Sequence, residues 1–169
     1  YAILQTITAH SETGATLPKE LFDKVLASRH YQSGLMTVRQ LEFSIFDLRL
    51  HSEFNSAQSN YLQLLDEVRL QVAVIIPPSY NRFANSFGHI FGGGYAAGYY
   101  SYKWAEVLAS DAFDRFENEG IFNTATGKEF RQFILAVGGK DTALDAFINF
   151  RGREPKIDAL LRHQGWTNR

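Results

Sequence analysis

Apolar residues recur at helical spacing along most of the chain. Over residues 17–28 they return at every fourth position, which predicts a short amphipathic helix. Residues 31–54 carry one apolar stripe widened by further phenylalanines, so we expect a long helix that is buried on more than one side. Apolar positions from Tyr61 to Val72 predict a third helix.

The middle of the chain contains a proline pair, a segment without periodicity and one strongly periodic helix. The apolar run 72–76 fits either a helix end or a buried strand, and Pro77-Pro78 ends it in both cases. Residues 79–94 show little periodicity and are predicted to form a loop. A helical period returns from Ala96 to about Glu119.

Three shorter helices are predicted in the last third, beginning near Thr126, near Asp141 and after Pro155, and each is followed by glycine. The prediction is therefore an all-α fold. It is an irregular bundle of about seven helices, in which a glycine-rich loop leads into a long tyrosine-bearing helix. At 169 residues, a single domain spanning residues 1–169 is the default.

Composition narrows the functional classes. A hydrophobic fraction of 45% and an aromatic fraction of 14% are typical of globular proteins. A net charge of −1 offers no field to attract nucleic acid or an anionic membrane, and no apolar run approaches the roughly 18 residues of a membrane span. The absence of Cys excludes disulfide scaffolds and thiol catalysis, and it fits a reducing, cytoplasmic location.

The segment 88–102 differs from the rest, because it holds five of the 13 glycines and four of the eight tyrosines. Glycine lets the backbone bend or another group approach closely, so we expect a mobile loop. Tyr95, Tyr99 and Tyr102 are spaced by four and three positions, which predicts three phenols on one helical face behind His89. Phenols and an imidazole held together suit an oxyanion or a peptide carbonyl.

Other interpretations of this segment remain open from the residues alone. Tyr100 lies about 100° from Tyr99 on the predicted helix and is expected to pack beside Trp104 on the core side. The whole segment would then be a glycine turn followed by an aromatic packing helix. Gly92-x-Gly94-x-x-Ala97 also matches the dinucleotide fingerprint, although that motif requires a preceding strand, which the pattern does not predict.

No metal site is predicted in this sequence. The five His residues are at least 20 positions apart, so no helical turn carries two of them, and Cys is absent. The basic turn 151–155 is expected to cap helices and to form ion pairs, with contact to an anion or to a substrate carboxylate as the alternative.

Several segments match motifs of a known family. They are Leu21-Phe22-Asp23-Lys24, Arg39-Gln40-Leu41-Glu42-Phe43, Phe46-Asp47-Leu48-Arg49-Leu50-His51, Gly88-His89-Ile90-Phe91-Gly92-Gly93-Gly94-Tyr95-Ala96-Ala97-Gly98-Tyr99-Tyr100-Ser101-Tyr102, Gly120-Ile121-Phe122-Asn123 and Phe150-Arg151-Gly152-Arg153-Glu154-Pro155. With these motifs the sequence closely resembles the C-terminal part of the thimet-oligopeptidase family of zinc metallo-oligopeptidases, most of all its bacterial branch. The resemblance runs from about Leu17 to Gly165.

This resemblance implies an all-α peptidase that cleaves short peptides in a deep channel. The family holds its zinc on a His-Glu-x-x-His helix with a further Glu, and this sequence contains neither. We therefore expect a C-terminal piece of a longer metallopeptidase, with zinc and the general base supplied by the remainder of the parent chain. The expected partners are short peptides, with neither nucleic acid nor membrane.

The resemblance also implies a role for each matching residue. Tyr102 would donate to the oxyanion of the tetrahedral intermediate, and His89 and Tyr95 would hold the substrate backbone. Tyr99 would support the substrate near the cut, and the loop of Gly92, Gly93 and Gly94 would lie against it. The choice between endopeptidase and dipeptidyl carboxypeptidase depends on other parts of the channel. A non-catalytic peptide- or ligand-binding module is the alternative from another class.

We predict that this chain alone binds no stoichiometric zinc and cleaves no peptide, because it lacks paired His, Cys and the base Glu. Metal analysis after dialysis and a quenched fluorescent peptide assay test this. One tightly held zinc ion per chain, with hydrolysis that a chelator blocks, would contradict the prediction.

Overall fold

The computed structural model describes residues 1–167, which contain helices and turns and no β-strand, so the all-α prediction is confirmed. The helices are α1 (Ala2–Ile7), α2 (Lys19–Ser28), α3 (Ser33–Ser52), α4 (Tyr61–Val72), α5 (Phe83–Ser86), α6 (Gly88–Phe91), α7 (Ser101–Glu119), α8 (Thr124–Phe130), α9 (Ala143–Arg151) and α10 (Asp158–His163). A π-helical segment, Arg131–Leu135, continues α8. None of these helices has the length and hydropathy of a membrane span.

Two compact units make up the chain. The first, residues 1–33, carries α1 and α2. In it the Tyr1 hydroxyl donates to the Leu17 carbonyl at 2.8 Å, and the Tyr1 ring lies 5.2 Å from that of Phe22. The second unit starts at Gly34 and carries the remaining helices. The single domain over residues 1–169 stays a prediction, and its last two positions lie outside the described residues.

Local signals account for several helix ends. The Asn60 side chain accepts the Leu62 amide at 2.9 Å and so caps the N-terminus of α4. Asn123 caps α8 and Thr142 caps α9 in the same manner. After α9, Gly152 adopts φ +71, a left-handed conformation that glycine takes without strain.

Some expectations for the chain were wrong. The predicted loop 79–94 contains the short helices α5 and α6, and α1 was not predicted. The long helix begins at Ser101 instead of Ala96, because residues 96–100 form turns and Ala97 has φ +55, outside the helical region. The apolar run 72–76 is not a buried strand, because α4 ends at Val72 and the exposed Val74, Ile75 and Ile76 follow in irregular structure.

The first core packs the segment before α7 against α3 and α4. Its buried members are Phe46, Leu64, Leu65, Val68, Ala84, Phe87, Ile90 and Tyr99. Because these residues come from α3, α4, α5 and α6 as well as from the turn before α7, the candidate site residues rest on a shared apolar base.

The second core packs Ala112 of α7 against Phe147 and Phe150 of α9, and the partly buried Phe130 at the end of α8 packs against them. Next to it lies Asp111 on α7, which is 1% exposed. Its two carboxylate oxygens accept hydrogen bonds from Arg153 at 2.6 and 2.7 Å, and the Arg151 guanidinium lies 2.9 Å away. The basic turn therefore forms ion pairs, as expected, and directs these two side chains at Asp111.

The ionisation of Asp111 makes the stability of this region depend on pH. Burial opposes its charged form, but hydrogen bonds from Arg153 and from the Lys156 amide hold the Asp111 pKa below the usual aspartate value. The resulting stabilisation is fully present above about pH 4 and is lost as pH falls through the lowered pKa.

We predict that Asp111→Asn lowers the free energy of unfolding at pH 7 by about 3 kcal/mol, because it removes the buried carboxylate that pairs with Arg153 and one of the two that pair with Arg151. The difference from the unmodified chain should shrink below about pH 4 as Asp111 itself becomes protonated. Urea unfolding at pH 7 and pH 3 measures both effects. Asp66→Asn, at an exposed carboxylate, should cost under about 0.5 kcal/mol. Equal losses in the two variants would contradict the prediction.

Candidate active site

Three tyrosine rings and one imidazole lie close together at the N-terminal end of α7. The rings of Tyr95 and Tyr102 stack with centroids 4.9 Å apart, and those of Tyr99 and Tyr102 lie 5.1 Å apart. The His89 ring lies 5.7 Å from Tyr99 and 6.2 Å from each of the other two. The four side chains singled out in the sequence are thus brought together, and we call them the tyrosine cluster.

A folded turn, and not one helical face, produces this grouping. Only Tyr102 lies on α7, whereas Tyr95 and Tyr99 precede it. Ala97 is in the left-handed region at φ +55, and the Gly98 amide donates to the Tyr95 carbonyl at 2.8 Å. The turn 95–100 therefore packs the rings of Tyr95 and Tyr99 against that of Tyr102, whereas a continuous helix would place the three rings one above another along its face.

A buried carboxylate on α3 holds this turn. Asp47 is fully buried, and its Oδ1 accepts the Ala97 amide while its Oδ2 accepts the Tyr99 amide, both at 2.9 Å. His51 Nδ1 lies 2.9 Å from Oδ1. A carboxylate tolerates burial only when it is hydrogen-bonded. The sequence analysis missed Asp47, although a carboxylate inside the apolar stripe of α3 was a signal for it.

Tyr99 forms the buried side of the cluster. It is 8% exposed, and its ring packs edge-on against Phe87 at 5.0 Å and Phe43 at 5.8 Å. Its hydroxyl donates to Gln40 Oε1 at 3.0 Å, and burial raises its pKa. Tyr99 therefore directs its hydroxyl towards α3 and supports the ring of Tyr102 from behind.

The exposed side of the cluster consists of His89, Tyr95 and Tyr102. Tyr102 is 39% exposed, Tyr95 is half-buried and His89 is exposed. A side-chain hydrogen bond with Tyr95, together with partial burial, raises the pKa of Tyr102 above its usual value. The Tyr102 phenol therefore keeps its proton at neutral pH and remains a hydrogen-bond donor.

The glycines fold the loop back onto α6. The Gly92 and Gly93 amides donate to the Gly88 carbonyl at 2.8 and 2.9 Å, and the Tyr95 amide donates to the His89 carbonyl at 3.1 Å. A Cβ atom on Gly93 would lie 2.9 Å from the His89 carbonyl oxygen and 3.0 Å from its Cα. Gly94 has φ +80, which favours glycine. The loop therefore leaves no room for a side chain at Gly93 beside the His89 backbone.

Tyr100 lies away from the cluster, and its predicted position on the core side was wrong. It is 50% exposed and lines an open apolar groove of about 470 Å³ with Trp104, Leu160 and Leu161. The turn before α7 changes the angular relation of neighbouring residues, so Tyr99 enters the core instead.

Two further chemistries do not fit these residues. The dinucleotide interpretation of Gly92 to Ala97 was wrong, because the helix α6 precedes the motif where a strand is required. Within residues 1–167, no three His, Asp or Glu side chains are grouped closely enough to hold a metal ion. The residues that the structure describes therefore do not fit a zinc ion by themselves.

Comparison with known proteins identifies the class. A family model described as Peptidase family M3 matches residues 1–166. The chain therefore belongs to peptidase family M3, and the resemblance seen in its motifs is confirmed.

Three relatives in this class illustrate two of its names. Oligopeptidase A of Escherichia coli (strain K12) is 56% identical over 163 residues, and Oligopeptidase A of Haemophilus influenzae is 52% identical over 166. Dipeptidyl carboxypeptidase of Escherichia coli (strain K12) is 35% identical over 164 residues. The three alignments cover 96%, 98% and 92% of this chain, and 24%, 24% and 23% of the relatives. The chain thus spans about a quarter of the length of these curated relatives.

We predict that Gly93→Ala loosens the glycine loop, because its methyl group would collide with the His89 backbone. Hydrogen exchange of amides 92–95 should accelerate about tenfold, the equivalent of about 1.4 kcal/mol. Gly92→Ala is the matched control, since its Cβ would lie 3.8 Å from the nearest atom, and exchange there should stay unchanged. Equal exchange in both variants would show that the close approach does not hold the loop.

Proposed function

We propose that this chain is the C-terminal part of a zinc-dependent oligopeptidase and that it supplies side chains that bind substrate and stabilise the transition state. The observation that carries the proposal is the exposed group of His89, Tyr95 and Tyr102 in a chain of peptidase family M3. The zinc ligands and the general base belong to parts of the protein outside this sequence. We place the enzyme in the cytoplasm, on the Cys-free composition.

Tyr102 is the proposed oxyanion donor. Hydrolysis of a peptide bond places negative charge on the former carbonyl oxygen, and a fixed neutral donor stabilises that charge. Tyr102 lies in the first turn of α7 and is partly open to solvent, and its raised pKa keeps it protonated well above neutral pH. On substrate binding, its hydroxyl donates to the reacting oxygen.

His89 and Tyr95 are the proposed contacts to the substrate backbone. Both are accessible, and both belong to the segment folded by Gly92, Gly93 and Gly94. Small residues there leave room for an extended peptide against the loop. Tyr99 contributes by supporting the cluster, because its hydroxyl is already bonded to Gln40.

Short peptides are the proposed substrates. Identities of 52% and 56% to proteins named Oligopeptidase A, against 35% to one named Dipeptidyl carboxypeptidase, favour the oligopeptidase assignment. The enzyme would therefore cleave within short peptides.

We predict that Tyr102→Phe in the whole enzyme lowers kcat by about 10²-fold, with a much smaller change in KM. Loss of a donor that acts mainly in the transition state costs on the order of 3 kcal/mol. Phenylalanine keeps the ring that stacks on Tyr95, so the stability of the protein should change little. Steady-state kinetics with a quenched peptide measures both constants.

Tyr100→Phe is the matched control for this prediction. Tyr100 lines the groove beside Trp104, away from the cluster, so its loss should leave kcat unchanged. A normal Tyr102→Phe enzyme together with a crippled Tyr100→Phe enzyme would overturn the assignment. A whole protein that binds short peptides and does not cleave them would instead favour a non-catalytic binding module.

A further inference from the structure

We propose that Asp47 is a positioning residue for Tyr102, and that its buried carboxylate fixes the turn from which the Tyr102 hydroxyl meets the substrate. This inference rests on the proposed function of Tyr102. Asp47 lies on α3, and the residues it binds are about 50 positions later in the chain. It therefore joins the cluster to a different helix.

The partners of Asp47 distinguish it from the other fully buried carboxylates. Glu42 pairs with Arg69, and Asp111 pairs with Arg151 and Arg153. In the described part of the chain, the ion pairs of Asp47 include only His51, and its oxygens accept the two backbone amides of the turn. A carboxylate in this environment is stable only while those amides point at it. The conformation of the turn and the burial of Asp47 thus depend on each other.

The turn geometry shows how Asp47 constrains the backbone. Ala97 has a side chain and yet adopts φ +55, a conformation that persists only where surrounding contacts impose it. Its amide is one of the two that Asp47 binds. The amides of residues 97 and 99 converge on one carboxylate, as in an anion-binding nest.

A short path leads from Asp47 to the Tyr102 hydroxyl. Asp47 binds the Tyr99 amide, and the Tyr99 carbonyl accepts the Tyr102 amide at 3.3 Å as α7 begins. The Tyr99 ring, held by Gln40, lies 5.1 Å from the Tyr102 ring. Movement of the turn therefore changes both the start of α7 and the surface on which Tyr102 rests.

Asp47→Asn tests this directly in the whole enzyme. The amide group of asparagine can accept only one of the two backbone amides, and its NH₂ group faces the other, so the turn must shift. Because displacement of a catalytic group by about 1 Å costs up to about 10²-fold in rate, we expect kcat to fall about 10- to 100-fold and KM to change less than about threefold.

The matched control is Glu42→Gln, at a buried carboxylate five positions earlier on α3 that binds Arg69 and not the turn. It should lower stability without lowering kcat per folded molecule. Combining Asp47→Asn with Tyr102→Phe should add less than about twofold to the loss from Tyr102→Phe alone, because both act through one hydroxyl. Multiplicative losses, or an equal kcat loss in Glu42→Gln, would overturn the proposal.

A spectroscopic readout separates this inference from the proposed function. In the enzyme labelled with 3-fluorotyrosine, the ¹⁹F resonance of Tyr102, assigned by its disappearance in Tyr102→Phe, should move in Asp47→Asn and stay in place in Glu42→Gln. If Tyr102→Phe has normal kcat while this resonance moves, the catalytic role fails and the positioning stands. An unmoved resonance overturns the positioning. If Asp47→Asn does not fold, Asp47→Ser, which keeps one acceptor, carries the same expectations.

Discussion

The two hydrogen bonds from the Ala97 and Tyr99 amides to the Asp47 carboxylate connect the glycine- and tyrosine-rich segment to the core. A buried charge is unstable unless its oxygens are bonded, so these bonds oblige the chain to turn sharply before α7. The turn buries Tyr99 and stacks Tyr95 on Tyr102. The accessible parts of Tyr95 and Tyr102 therefore lie side by side.

The helix α7 connects the tyrosine cluster to the second core. Its first turn bears Tyr102, and nine residues later Asp111 is held by the basic turn after α9. At 1.5 Å per residue the two points are about 13 Å apart, so one rigid element is fixed at both the cluster and the second core. A hydroxyl on such an element is placed more accurately than one on a loop, as the role that we propose for Tyr102 requires.

Local periodicity predicts α2, α3 and α4 to within about two residues of their ends, because apolar stripes and caps act within a few turns. Local periodicity does not predict where α7 begins. It also does not predict that Tyr99 is buried and Tyr100 is exposed. Those depend on φ +55 at Ala97 and on a carboxylate 50 positions away, which no short window contains. His89 and the three tyrosines stand out in the sequence because glycine and tyrosine are concentrated in one segment. In the structure a turn, and not a helical face, brings their side chains together.

We propose that Tyr102 faces the reacting oxygen of the substrate. A crystal structure of the whole enzyme with a phosphinic peptide, which mimics the tetrahedral intermediate, would show this placement. We expect the Tyr102 hydroxyl oxygen about 2.7–3.1 Å from a phosphinyl oxygen, with Tyr99 still bonded to Asp47 through its amide. A Tyr102 hydroxyl more than about 5 Å from every phosphinyl oxygen, beyond the reach of any hydrogen bond, would contradict the account.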